Sequence, residues 1–309
     1  MHITIMRYAL KKKILFFGMV FIVLMIFLHP DINARRSYEY IDKDSILDHL
    51  HEETAENFTS SAVSDCDYRD VIYDDTTLSI RLVDDDLVEG HRIRVGGESA
   101  PQDCKPKFST AIIVPYRDRA EQLRGFLVYM HTFFRRQKIH YRIFVIEQVD
   151  SRPFNRAKLL NIGAVAAMKA GYPCLVLHDV DLLPLRPANL YSCTLLPRHM
   201  SSSINQLRFV LPYLNLFGGV IAMITKQYQL INGMSNEYFG WAGEDDDFYS
   251  RIETYGLKLC RFEAEISMER RNQFTVGKTR IAADGLSSLK YTEVATVLHP
   301  LFTHIMVDL

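Results

Sequence analysis

Between Ser109 and Asp181 short apolar runs alternate with amphipathic stretches, and no other feature restricts the fold of this chain as much. TAIIVP, Thr110 to Pro115, is an apolar run closed by proline, as expected of a buried strand. Leu123, Phe126, Leu127, Met130 and Phe134 then recur at helical spacing, which predicts an amphipathic helix over Arg119 to Phe134. YRIFVIEQ predicts a second strand, NRAKLLNIGAVAAMKAG a second helix closed by Gly171, and CLVLHDVD, Cys174 to Asp181, a third strand. Strand and helix in alternation make an open, mainly parallel α/β sheet, whose ligands gather at the carboxyl ends of the strands. At 309 residues and 48% hydrophobic side chains, the chain can bury one large core.

The residues at those strand ends narrow the chemistry. No G-x-G-x-x-G follows TAIIVP and no Walker loop occurs, which counts against a dinucleotide fold or a P-loop site. Tyr116-Arg117-Asp118-Arg119 follows instead. Two arginines there can grip a diphosphate through forked, charge-assisted hydrogen bonds, or form a plain surface charge cluster. The third predicted strand ends in His178-Asp179-Val180-Asp181, where strand alternation would point Asp179 and Asp181 to one side. Two carboxylates at the end of a buried strand are costly unless a cation or hydroxyl donors satisfy them. A D-x-D here suits Mn²⁺ or Mg²⁺ held against a nucleotide diphosphate, although the triplet is common by chance. GWAGEDDDF, Gly240 to Phe248, sets four carboxylates, Glu244 to Asp247, behind the chain's one tryptophan. Such a run is a solvated loop or the acidic first turn of a helix, or else a site where a cation, a proton transfer or sugar hydroxyls need several carboxylates.

A formal net charge of -1 and the lack of a basic stripe argue against nucleic acid as a partner. Lys11 to Lys13 precede an uncharged run, Ile14 to Leu28, which is a signal peptide or a membrane anchor. No A-x-A cleavage pattern follows it, and the lysines on its N-terminal side leave residues 1–13 in the cytosol. The expectation is therefore a type II anchor at 14–28, short enough for a thin early-secretory membrane, with the rest in the lumen. Residues 29–105 are polar and acidic and read as a stem and a loosely packed lead-in; the catalytic part is expected over 106–309. Five cysteines fit a lumenal protein with two disulfides and one thiol left over, in pairs that spacing does not assign. Asn57-Phe58-Thr59 is an N-glycosylation triplet or a chance match.

The blocks PYRDR, FNRAKLLNIG, HDVDLLP, PRHMS, LPYLNLFGGV and NGMSNEYFGWAGEDDDF occur in this order from about Ser109 to the C-terminus. In them the chain resembles the beta-1,4-galactosyltransferase family of type II Golgi membrane enzymes with a GT-A fold. The resemblance implies an inverting transfer from a UDP-sugar to a terminal N-acetylglucosamine, with Mn²⁺ as cofactor. It implies that Arg117, Arg119, Phe154 and Arg156 hold the uracil, ribose and diphosphate, with Asp179, Leu216 and Gly219 also on the donor side. Asp181 would bind the metal, together with Met268. Trp241 would close over donor and acceptor, Glu244 and Asp246 would bind acceptor hydroxyls, and Asp245 would be the general base. Cys174 would pair with Cys193 and Cys66 with Cys104, leaving Cys260 free.

The chain also departs from the family pattern. Where the family carries M-x-x-H, whose Met and His complete the metal shell, it reads Met268-Glu269-Arg270-Arg271, and arginine does not ligate a metal. The stretch from Met268 to Gly285 is shorter than the family's, and Ala242 replaces a hinge glycine. Leu216 stands where family members that use UDP-galactose carry tyrosine. That substitution makes room for an acetamido group and predicts UDP-N-acetylgalactosamine as donor, with UDP-galactose the alternative. A further alternative is a lectin-like protein that keeps the acceptor site and has lost the chemistry.

Overall fold

The computed structural model describes residues 12–13, 15–21, 39–62, 64–78, 93–207, 211, 213–240, 243–262, 281 and 283–309. Among them no helix is long and apolar enough to cross a membrane. Of the anchor expected at 14–28, only 15–21 are described, and they are helical. Trp241, Ala242, Met268, Arg270 and Arg271 lie outside the described residues.

The strands are β1 (Glu39–Ile41), β2 (Glu98–Ser99), β3 (Ser109–Tyr116), β4 (His140–Gln148), β5 (Cys174–His178), β6 (Arg198–His199), β7 (Val220–Ile224), β8 (Cys260–Phe262), β9 (Thr292–Leu298) and β10 (Thr303–Asp308). The helices are α1 (Ile46–His49), α2 (Arg69–Ile72), α3 (Ala120–Gln137), α4 (Arg156–Lys169), α5 (Thr225–Leu230) and α6 (Glu244–Thr254). The strands form one mixed sheet in the order β1-β8-β6-β7-β5-β3-β4-β10-β9, with β2 beside β4. Its centre, β5-β3-β4-β10, is parallel, whereas β7 runs antiparallel to both β5 and β6, and β9 to β10.

Alternation along β3 divides the core. Ile112 and Val114 pack against Phe126, Met130 and Phe134 of α3 on one face. Ala111 and Ile113 pack against Leu160 and Ala164 of α4, and Phe248 and Ile252 of α6, on the other. Helices thus cover both faces of a largely parallel sheet, and the carboxyl ends of β3, β4 and β5 open at one end of the molecule.

Two expectations are corrected. β5 stops at His178, because Leu182 N–H turns back to the Asp179 carbonyl at 3.2 Å; Asp179 and Asp181 therefore sit in a turn and not on a strand. Residues 39–62 and 64–78 are not loosely packed: Ile41, Ile46, Leu50, Tyr68, Val71 and Ile72 are core, and β1 extends the sheet beside β8. The two disulfides are Cys66–Cys104 and Cys174–Cys193, and Cys260 is a buried free thiol.

Candidate active site

Four chain segments converge at the carboxyl ends of the central strands, and Arg156 joins three of them. Asn155 caps α4 by accepting the Lys158 N–H at 2.9 Å, which fixes the helix start and puts Arg156 on its first turn. Arg156 Nε donates to Asp179 at 2.6 Å, and its Nη1 to Asp245 at 3.1 Å, with Glu244 3.9 Å away. Burial lowers the proton affinity of this guanidinium, but Asp179, Asp245 and Glu244 more than offset that, so its charge is fully compensated by neighbouring carboxylates. Its Nη2 is buried and makes no hydrogen bond among the described residues.

The acidic run begins α6, with Gly243 at φ 94° as its cap, so the bland reading of the sequence holds too. Its four carboxylates nonetheless have separate surroundings. Asp247 is fully buried against Arg251 at 2.7 Å, and Arg251 in turn reaches Asp284 at 3.2 Å; this is scaffold. Asp246 accepts from the Tyr213 hydroxyl at 2.9 Å. Glu244 and Asp245 face Arg156. Burial pushes the Asp245 carboxyl up to about 7; Arg156 opposes the shift, while Glu244, Asp179 and Asp246 add to it. The side chain still keeps 27% of its surface open to solvent.

Asp245 rests on the backbone of the turn before β7. A Cβ on Gly218 would overlap its carboxylate, so the close approach requires glycine there. Gly219, at φ 74°, accepts from the Asp179 N–H at 3.1 Å and so links this turn to the one that carries Asp179 and Asp181. The turn is held from behind by groups that sequence reasoning gave no role. His199 Nε2 donates to the Gly218 carbonyl at 3.0 Å, and Ser201 Oγ donates to it at 2.9 Å. Arg261 donates to His199 Nδ1 at 2.8 Å and to the Leu216 carbonyl at 3.0 Å. Burial, then the charge on Arg261, keep His199 neutral, as this tautomer requires. His199 beside Arg198 in PRHM and Arg261 between Cys260 and Phe262 were the signal available, as were Tyr213 in LPY and the i,i+4 spacing of Asp247 and Arg251. Leu216 is only partly buried, which distinguishes it from an ordinary core leucine.

On the other side of Arg156, Arg117 donates to the Arg152 carbonyl at 2.7 Å and lies over the Phe154 ring at 5.3 Å. Arg119 pairs with Asp181 at 2.8 Å, both side chains about half exposed. The described residues do not fit a manganese ion as they stand. Asp179 is engaged by Arg156 and Asp181 by Arg119, His178 is buried between the Asp179 carbonyl and the Tyr191 hydroxyl, and no group of three metal-ligating side chains occurs among them.

Residues 71–194 match the N-terminal region of glycosyl transferase group 7, and residues 198–275 the domain described as the N-terminal domain of galactosyltransferase. A mutant of Drosophila beta-1,4-galactosyltransferase 7, solved in complex with manganese, UDP-Gal and xylobiose, superimposes with a TM-score of 0.53 at 31% identity, over 65% of this chain and 94% of that one. The chain belongs to the beta-1,4-galactosyltransferase family. It is 38% identical to mouse beta-1,4-galactosyltransferase 2 over 72% of this chain and 65% of the relative. Against bovine beta-1,4-galactosyltransferase 1 the figures are 39%, 74% and 61%. The chain thus spans rather less than two thirds of the length of these curated relatives. Its mixed sheet flanked by helices is the architecture of the solved family member.

Proposed function

We propose that the protein is an inverting glycosyltransferase that moves galactose from UDP-galactose to the 4-hydroxyl of a terminal N-acetylglucosamine. The observation that carries this reading is Asp245, a partly open carboxylate raised to about 7 and set among an arginine and three further carboxylates. A general base works best with a pKa near the working pH. In the proposed reaction Asp245 takes the proton of the acceptor hydroxyl while its oxygen attacks the anomeric carbon from the face opposite the nucleotide. The anomeric carbon–phosphate oxygen bond breaks, and UDP departs with the electron pair. Glu244 and Asp246 orient the acceptor, and Arg117, Arg119 and Arg156 face the diphosphate. Phe154 and Trp241 supply the ring surfaces. Residues 106–309, with part of the preceding segment, form the catalytic unit in the Golgi lumen behind the anchor at 14–28.

The choice of galactose rests on the relatives, which are galactosyltransferases by name. Leu216 favours a second reading, in which UDP-N-acetylgalactosamine is the better donor, because leucine leaves room for an acetamido group where a phenol would crowd it. Manganese is present in the solved relative. Incubating the purified protein with each UDP-sugar and an N-acetylglucosamine-terminated acceptor tests the proposal. A β-1,4-linked product supports it, and release of no UDP with any donor points to a lectin-like protein instead.

A further inference from the structure

We propose that Asn57 is an N-glycosylation acceptor, placed so that its oligosaccharide stands at the end of the sheet opposite the candidate active site. Asn57-Phe58-Thr59 is the only Asn-x-Ser/Thr triplet in the 309 residues. The structure divides its three side chains. Phe58 turns inward and stacks on His140 with ring centroids 4.1 Å apart at 19°. His140 is itself held by Ser109 at 2.7 Å. Asn57 and Thr59 are exposed on either side of it, with Asn57 in a turn. That turn is fastened by the buried Ala55, by Phe58 N–H to the Ala55 carbonyl at 2.9 Å and by Glu56 N–H to the Gly171 carbonyl at 3.4 Å. An exposed turn whose apolar Phe58 is half-buried and whose Asn57 faces solvent tolerates a bulky polar group without strain on the core.

The position follows from the neighbours. Ser109 and His140 are the first residues of β3 and β4, and Gly171 precedes β5, so the triplet lies at the amino ends of the central strands. Arg156, Asp179 and Asp245 lie beyond their carboxyl ends, a strand length of about 25 Å away at the usual rise per residue. Two disulfides place this part of the chain in an oxidising compartment, where the donor for such a modification, a lipid diphosphate-linked oligosaccharide, is found. In the transfer the Asn57 amide nitrogen bonds to the anomeric carbon and loses a proton to a base of the modifying enzyme. The anomeric carbon–oxygen bond breaks, and the lipid diphosphate leaves with the electron pair.

The test is expression of the full chain in cells with an N-glycosylating secretory pathway, followed by peptide N-glycosidase treatment and electrophoresis. Wild type and Thr59→Ser should lose the mass of one glycan on treatment, whereas Asn57→Gln and Thr59→Ala should migrate at the deglycosylated position before and after. The kcat of Asn57→Gln should stay within about twofold of wild type, as for a surface change distant from the site. No shift in wild type, meaning an unmodified chance triplet, overturns the proposal, and so does a shift that persists in Asn57→Gln. The mobility readout does not depend on the transferase activity, so it stands or falls separately from the reading of the active site.

Discussion

At the scale of single residues, Asp245 ties activity to stability. Its carboxyl is raised from 3.8 to about 7 in the folded protein, so the fold binds this proton more tightly than the unfolded chain does. Its contribution to stability is therefore most favourable below the unfolded value and is lost as pH rises towards 7. Asp245→Asn keeps the shape and removes the charge. At pH 8 it should raise stability by about 1 to 3 kcal/mol, read as a higher Tm, while lowering turnover by about 10² to 10⁴ with UDP affinity retained. The wild-type rate should fall below about pH 7 as the base is protonated, since a base acts only in its deprotonated form. A variant that keeps most of its turnover would assign the base elsewhere. Leu216 governs a different quantity. Leu216→Tyr should shift the ratio of kcat/KM towards UDP-galactose by about tenfold, since small-group discrimination in a pocket amounts to about 1 to 3 kcal/mol. An unchanged ratio would remove Leu216 from the donor site.

At the scale of elements, the turn between residues 213 and 219 underlies the candidate site, and its supports can be tested without replacing a proposed catalytic group. Gly218 does not have a positive φ, so Gly218→Ala strains only the contact with Asp245. It should cut kcat by at least about tenfold through displacement of that carboxylate, with a small change in Tm. His199→Phe removes the bond to the Gly218 carbonyl and leaves Arg261 without its imidazole acceptor. It should lower both Tm and kcat. These supports were hardly legible in the sequence, because they act through backbone carbonyls, and carbonyls have no residue code. The central elements were legible, since β3, α3, β4 and α4 declare themselves by period and lie within a few residues of expectation. The sequence pattern makes β5 three residues too long: Asp-Val-Asp continues the strand's alternation, and the turn at Asp179 is a backbone event. The acidic run was legible as a candidate site, but only the fold separates Asp247, which braces Arg251, from Asp245, which faces Arg156.

At the scale of the whole molecule, the question is where the folding unit begins. Residues 39–78 lack periodicity and carry many charges, so their sequence suggests a stem. Their few apolar residues are nevertheless spent in the main core, where Tyr68 also donates to the Lys138 carbonyl at 3.0 Å and accepts from Lys107 N–H at 3.0 Å. Cys66 ties the segment to Cys104, just before β3. Fully burying one large apolar side chain is worth about 1.5 to 3 kcal/mol. Losing Ile41, Ile46, Leu50, Tyr68, Val71 and Ile72 together would then offset most or all of the roughly 5 to 15 kcal/mol that keeps a domain folded. It would also leave Cys104 without its partner and the β8 edge uncovered. A chain starting at residue 38 should therefore be soluble, unfold cooperatively and bind UDP like the full chain. A chain starting at residue 79 should aggregate or unfold near ambient temperature. Thermal unfolding of the two, side by side, decides it: equal midpoints would return residues 39–78 to the stem.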